Sequence, residues 1–455
     1  MTTAARKVAY SVIHSVHVAD AYANLMLPTA CSNANLTTRD AAFATELTYG
    51  TLRRQGSLDA VIKACADRDN LDSEVLDVLR LGAYQLLFLR TPVHAAINEA
   101  VSLANAEVGR SVTGFVNAVL RRISEKTWQQ WCTELTTGIP DVERLAIEYS
   151  YPVWVIRALA DAYECDARSI VPILATGNEP ANITLVARPG QATLAELLEL
   201  PHVVAGNWSP IAATLVRATD IENPWSSNPG DLFLVQTNRV GVQDEGSQLV
   251  ALALAQVPID GAESNWLDMC SGPGGKAAIL AGLAAEQGIH FTALEPNESR
   301  ANLVKNALWN APGNPKVVVT DAREFNPDLE FDRILVDAPC TGLGALRRRP
   351  ESRWRKQPSD IGPLTQLQRE LLAQAAKLVR VGGLIAYATC SPHISETDLV
   401  IAAFLREHSN FAEIDLAPVL PILKLPSGTK KLRLRPDVHG TDGMYLTILT
   451  RTATA

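Results

Sequence analysis

The chain has 455 residues, with 41 Lys and Arg against 49 Asp and Glu, a formal charge of -8 and 47% hydrophobic residues. The length suggests about three domains, and the hydrophobic share excludes a disordered or collagen-like chain. The acidic balance lacks the overall basic footprint of a nucleic-acid binder. No apolar stretch approaches the roughly 20 residues needed to cross a bilayer, and Arg6, Lys7 and His14 interrupt the region where a signal peptide would carry its apolar core. A cytoplasmic protein with no membrane contact is expected. The seven cysteines are scattered through a long chain and do not read as a secreted disulfide scaffold.

Residues 1–135 carry a helical pattern. Leu76, Leu79 and Leu86, then Ile97, Ala100, Val101, Ala104 and Val108, then Phe115, Val119, Leu120 and Ile123 recur at three- and four-residue spacing. This predicts an all-α bundle. Across 136–238, prolines 140, 152, 172, 180, 189, 201, 210, 224 and 229 cut the chain into short pieces, with a strand-like fragment at 182–186. A small α+β connecting domain is expected there.

Residues 239–455 alternate strand and helix. Strands are predicted at 266–269, 291–294, 316–320, 333–336 and 384–389. Asn297 reads as the cap of one helix, and Pro363 opens another that stops at Gly382-Gly383. Such alternation predicts a Rossmann-like α/β domain with a mostly parallel sheet covered on both faces.

In open α/β sheets, ligands bind beyond the carboxyl ends of the strands. At those ends stand Cys270-Ser271-Gly272-Pro273-Gly274-Gly275-Lys276, then Glu295, Asp321, Asp337 and Cys390. A phosphate-gripping Walker loop is excluded, because Cys270 and Ala277 stand where it needs Gly and Ser or Thr. Gly272, Gly274 and Ala277 fit a dinucleotide fingerprint loosely, and a tight turn needs glycine whatever the ligand. Glu295 suits the ribose of an adenosine-bearing cofactor, Asp321 could meet an adenine amino group, and S-adenosylmethionine would use the same crevice. No CxxC or His cluster accompanies the thiols, so no metal is expected.

Cys340, in Asp337-Ala338-Pro339-Cys340, and Cys390, in Thr389-Cys390-Ser391, put two thiols at the ends of strands that should neighbour each other. A single cysteine is often a small buried hydrophobe. A pair beside an acid on a ligand rim suits covalent methylation of cytosine at carbon 5. A thiolate adds at carbon 6, an acid such as Asp337 meets the charge developing near ring N3, and a second thiol assists release. The residues alone do not choose which thiol attacks.

The strings LDMCSGPGGKAAILA, VVVTDAREF, FDRILVDAPCTGLGALRRRPESRW, LVRVGGLIAYATCSPHISE and DGMYLTIL resemble the successive motifs of the bacterial ribosomal RNA 5-methylcytosine methyltransferases of the RsmB/Sun group. RDAAFATELTYGTLRR, LRLGAYQLLFLRTPVHAAINEAVSLA and GFVNAVLRR are similar to its NusB-like helical domain, and VGVQDEGSQLVALAL to the entry of its methyltransferase domain. The resemblance spans nearly the whole chain. It implies a NusB-like RNA-binding domain over 1–135, the connecting domain over 136–238, and a class I methyltransferase domain with a seven-stranded sheet over 239–455. It further implies that Cys270 to Lys276, Glu295, Asp321 and Asp337 bind S-adenosylmethionine, that Cys390 is the nucleophile, that Cys340 helps release the product, and that 16S ribosomal RNA is the substrate. Ser271-Gly272 stands where Ala-Ala is usual, Ala277 where Thr is common, and Glu295 where Asp is frequent. A monomer is expected.

Three other readings compete: an RNA- or protein-binding adaptor with an inactive catalytic half, an oxidoreductase using NAD, and a methyltransferase acting on another RNA. Titrating S-adenosylmethionine against NAD separates the first two from the rest. The local charge departs from the acidic whole. Residues 345–356 hold Arg347, Arg348, Arg349, Arg353, Arg355 and Lys356 against Glu351 alone, and 424–435 hold five basic residues and no acid. Although such runs are usually solvated faces, the first follows a rim motif. There Arg347, Arg348, Arg349 and Arg353 are expected to meet RNA phosphates, and Trp354 to stack on a base or pack.

Overall fold

The computed structural model describes residues 2–68, 70–216 and 229–452. The chain divides into two compact units, Met1–Pro180 with Leu346–Lys356, and Ala181–Ala345 with Gln357–Ala455.

The first unit is helical throughout. Helices Ala4–Val18, Thr38–Arg53, Ser73–Phe88 and Thr113–Ile123 bury Val12, Ile13, Leu47, Leu79, Val116 and Leu120 in one core. Helicity continues past 135 through Asp141–Tyr149, Val153–Ala162 and Val171–Thr176, so the unit closes at Pro180 and not at 135. The physical reason is proline placement. Pro140 and Pro152 are N-cap residues, and Pro172 lies in the first turn of its helix. The missing N–H of proline is harmless at these positions, so three residues that look like breakers are helix starts.

The second unit opens with a four-stranded antiparallel sheet of β1 (Ile183–Ala187), β2 (Val203–Ala205), β3 (Ala212–Leu215) and β4 (Val240–Val242), in the order β2-β3-β1-β4. Leu185, Leu197, Ala213, Leu215 and Val240 fill its core. Pro224 of the expected connecting domain lies outside the described residues.

The main sheet follows, with β5 (Asn265–Asp268), β6 (His290–Leu294), β7 (Lys316–Val318), β8 (Phe331–Asp337), β9 (Val379–Thr389), β10 (Phe411–Glu413), β11 (Lys431–Arg433) and β12 (Tyr445–Arg451). Its order is β10-β12-β9-β8-β5-β6-β7, with β11 also paired to β12. The run β9-β8-β5-β6-β7 is parallel, and β12 joins β9 antiparallel. Eight strands are present where seven were expected, because β10 and β11 share one edge of β12, opposite 449–451 and 445–447 respectively.

Alternate side chains of each strand enter different cores. Leu335, Ala386 and Ile448 face helices Glu245–Gln256 and Gly275–Glu286. Ile334, Val336, Ile385 and Tyr387 face Ile361–Leu378 and Asp398–Glu407. Cover on both faces explains why these strands read as unbroken apolar runs. Helix Ile361–Leu378 ends directly in β9. Gly382-Gly383, expected to stop that helix, instead lies in the register shift between β8 and β9, where Gly382 has φ of +75° and serves as a bulge residue. Among the described residues no helix is long and apolar enough to cross a membrane.

Candidate active site

The parallel strands deliver their carboxyl ends to one rim of the sheet. Cys270 follows β5, Glu295 follows β6, Asp321 lies just beyond β7, Asp337 ends β8 and Cys390 follows β9. The loop after β5 is held by close approach. Gly274 has φ of +112°, and a Cβ there would fall 2.6 Å from the Ala307 Cβ. A Cβ on Gly272 would fall 2.3 Å from Glu295 Oε2. Both positions therefore require glycine.

Glu295 is only 1% exposed. It accepts from the backbone N–H groups of Gly272 at 3.2 Å and Asn297 at 3.1 Å, and Arg300 lies 3.3 Å away. Asp321 is gripped by Arg323 at 2.6 Å, whose hydrogen bonds hold the carboxyl below the usual carboxylate range. The Lys276 ammonium meets Asp337 Oδ2 at 2.8 Å. Burial pulls the lysine down, but Asp337 outweighs it and leaves Lys276 above its ordinary value.

Asp268, the last residue of β5, is 1% exposed, and the Cys270 N–H donates to it at 3.2 Å. Burial and the neighbouring charge of Asp337 push it up to about 7. It belongs to the site but was missed in the sequence. The available signal was an acid inside an apolar strand, since unpaired acids are almost never fully buried.

The two thiols come together. Cys340 Sγ and Cys390 Sγ lie 3.4 Å apart, and both are free. The Cys340 S–H donating to Cys390 holds the Cys390 thiol below its ordinary value against burial, with Lys276 assisting. The same hydrogen bond and burial push Cys340 well above its own. Behind them lies a buried polar cluster of Thr341, Ser391, Gln368 and Glu396 that sequence reading did not single out.

The arginine expectation needs correction. The segment Leu346–Lys356 belongs to the helical unit, and Arg353 is fully buried in it. Its guanidinium donates to the carbonyl oxygens of Gly177 at 2.6 Å, Arg53 at 3.1 Å and Ser150 at 3.2 Å, and to Asn178 Oδ1 at 2.7 Å. It also lies 3.8 Å from the Tyr151 ring centroid. Arg353 therefore fills a protein interior and is not a phosphate contact. Arg347 donates to the carbonyls of Glu179 and Pro180, Arg355 to those of Val16 and Ala21, and Trp354 packs on Gly56. Arg349 is exposed beside Tyr22, and Arg348 is half-buried. In the second basic run, Lys431 and Arg433 pair with Asp398, and Arg435 with Asp437.

The residues at the rim fit S-adenosylmethionine. Asp268, Glu295, Asp321 and Asp337 line the crevice, and its cations Lys276, Arg300 and Arg323 are each paired with one of these carboxylates, so none is left over for a phosphate. Such a crevice suits a cofactor with hydroxyls, an amine and a sulfonium charge better than one with phosphates. Glu295 would hold the ribose and Asp321 the adenine end. Fold and rim together define a class I methyltransferase that uses S-adenosylmethionine.

Comparison with known proteins makes the assignment specific. Residues 255–450 match the model of the 16S rRNA methyltransferase RsmB/F family, and residues 3–125 that of the NusB family. A Mycobacterium tuberculosis chain described as a methyltransferase is 44% identical, covering 98% of this chain and 96% of its own length. Ribosomal RNA small subunit methyltransferase B of Pseudomonas putida is 32% identical over 91% of each chain. The crystal structure of PH0851 shares the fold with a TM-score of 0.77 at 22% identity, over 98% of both chains. NSun6 from Pyrococcus horikoshii does so with a TM-score of 0.55 at 16% identity, over 67% of this chain and all of its own. The chain belongs to the RsmB/F family of 16S rRNA methyltransferases.

Proposed function

We propose that the chain transfers a methyl group to carbon 5 of a cytosine in small-subunit ribosomal RNA, with Cys390 as the nucleophile. The observation that carries this reading is the pair of thiols 3.4 Å apart, one biased toward thiolate, on the rim that also holds the Lys276–Asp337 pair. The substrate class follows from the relatives' names.

The Cys390 sulfur adds to carbon 6, and the carbon 5–carbon 6 π pair moves onto carbon 5 while charge spreads toward ring N3. That charge is negative, so it is met by a proton donor: the Lys276 ammonium that Asp337 holds in place, or Asp337 itself once it carries a proton. The bound cofactor supplies the electrophilic methyl. A base then removes the proton from carbon 5, the double bond reforms, and the carbon 6–sulfur bond breaks. Cys340 can protonate the departing Cys390 sulfur, which assigns it to release. The base would have to reach an unstacked cytosine, so the target is presented unpaired or flipped out. Of the four arginines expected to meet RNA phosphates, Arg349 is the exposed one and is retained as a candidate.

The test is a map of 5-methylcytosine in small-subunit ribosomal RNA from a strain lacking this chain. One modified cytosine should be lost, then restored by the wild-type chain but not by Cys390→Ala. An unchanged map would overturn the proposal.

A further inference from the structure

Glu396 is fully buried in the short turn Ile394–Glu396, a few residues beyond Cys390. A carboxylate withdrawn from water costs several kcal/mol unless hydrogen bonds or a cation meet it. Here its oxygens accept from neutral groups, Thr341 N at 2.8 Å, Thr341 Oγ1 at 2.5 Å and Gln368 Nε2 at 3.3 Å. Thr341 is the residue after Cys340. Gln368 Nε2 also donates to the carbonyl of Pro339, the residue before Cys340, at 2.8 Å. The Pro-Cys loop is thus gripped on both sides of its thiol.

The same acid reaches the other thiol. Thr341 Oγ1 lies 2.9 Å from Ser391 Oγ, and Ser391 is the residue after Cys390. A hydroxyl has one proton to give. Since Thr341 donates to the carboxylate, Ser391 must donate to Thr341, and the chain of hydrogen bonds runs one way, from Ser391 through Thr341 to Glu396. The Tyr387 hydroxyl donates to the Glu396 carbonyl at 2.6 Å, and the Thr389 hydroxyl to the Ser391 carbonyl at 2.6 Å. Thr341, Gln368, Tyr387 and Ser391 are all buried, so solvent does not compete for these bonds.

We propose that Glu396 is a positioning residue that sets the separation of the two thiols by holding the loop after β8 and the turn after β9 to one buried carboxylate. It touches neither sulfur and acts through Thr341, Gln368 and Ser391. The inference rests on the thiol-based methyl transfer proposed above for its effect on catalysis, but the separation itself is measurable without turnover.

The experiment uses the full chain with Glu396→Gln and, as a gentler second variant, Thr341→Val. Thiol spacing is read by phenylarsine oxide, which must bridge two sulfurs to bind tightly, with Cys340→Ala as the control that abolishes bridging. Cys390 alkylation is followed against pH, S-adenosylmethionine affinity by titration, and methyl transfer on small-subunit ribosomal RNA from a strain lacking the chain. In both variants bridging should weaken about tenfold, the alkylation midpoint should move upward, and kcat should fall about tenfold or more with KM within about twofold. A lowered melting temperature with bridging and alkylation unchanged would mean a purely structural acid and would overturn the inference. If Cys390→Ala itself retained methyl transfer, the thiol mechanism would fail instead, while the bridging result would still decide the role of Glu396.

Discussion

The Lys276 ammonium lies 2.8 Å from Asp337 Oδ2, which ties the first turn of the helix after the glycine loop to the carboxyl end of β8. The lysine neutralises one of two neighbouring acids on this rim, since Asp268 is close enough to Asp337 to feel its charge. Lys276→Met keeps the aliphatic stem and removes only the charge. It should cost about 2–4 kcal/mol of stability in urea unfolding, because it leaves a partly buried acid without its counter-ion. Adding Asp337→Asn should restore much of that loss. A double variant no more stable than Lys276→Met would show that the pair is not coupled.

The thiol pair predicts two separable phenotypes. Cys390→Ala should abolish methyl transfer while leaving S-adenosylmethionine affinity intact. Cys340→Ser should let the adduct form and slow its release, so that a protein–RNA species survives a denaturing gel. Absence of that species would remove Cys340 from the release step.

The state of Cys390 depends first on the hydrogen bond from Cys340. Cys340→Ala should therefore raise the pH midpoint for iodoacetamide modification of Cys390 and slow the reaction at pH 7, because less of the thiol is then ionised. An unmoved midpoint would leave Lys276 as the dominant influence.

Asp268 makes stability pH-dependent. Its carboxyl titrates near 4 when unfolded and at about 7 when folded, so between these values the folded chain holds a proton that the unfolded chain has lost. Stability is full below about pH 4 and declines as pH rises toward 7, by no more than about 4 kcal/mol. Asp268→Asn preserves an oxygen for the Cys270 N–H and cannot ionise. Its stability advantage over the wild type should grow from pH 4 to pH 7 and then level off. A constant difference across that range would show that the acid does not titrate there.

Arg353 is the most deeply buried arginine among the described residues of the helical unit. Carbonyl oxygens and the Tyr151 face receive it rather than a carboxylate, and burial brings it down to about 10, still charged at neutral pH. Arg353→Ala would strand several acceptors and should lower stability by about 3–5 kcal/mol. Arg353→Lys should rescue little, since an ammonium cannot reproduce the planar fork. A melting temperature within a degree of wild type would contradict this.

What the sequence made legible was whatever followed from strand ends and turn chemistry. Glu295, Asp321, Asp337 and Cys390 could be listed because they come directly after apolar runs, and the topology of a parallel sheet brings such positions to one rim. Asn297 capping Glu298–Ala307 was equally readable, and its side chain accepts from the Arg300 N–H as expected. Glu396 was hidden because a buried acid in a short polar turn leaves no pattern of its own, whereas Asp268 did leave one, an acid ending an apolar strand. The partners of Glu396, Thr341 and Gln368, are distant in sequence. Charge runs misled for a related reason. Counting Arg347 to Lys356 says how many cations are present, not whether they face phosphate or the carbonyls of Gly177, Glu179 and Val16. In the run at 424–435 the neutralising Asp398 and Asp437 simply lie outside the counted window.

The placement of Leu346–Lys356 with the helical unit has a consequence for the order in which the molecule is completed. Residues 1–180 leave the ribosome first and carry nearly all of that unit's helices, but the cavity walled by Tyr151, Gly177 and Asn178 waits for Arg353. Synthesis must therefore pass through β5 to β8 and the Pro-Cys loop before the N-terminal unit acquires its last interior side chain. A nascent chain stalled before residue 346 should hold its helical unit in a looser, protease-sensitive state, and the same chain extended past residue 356 should lock it.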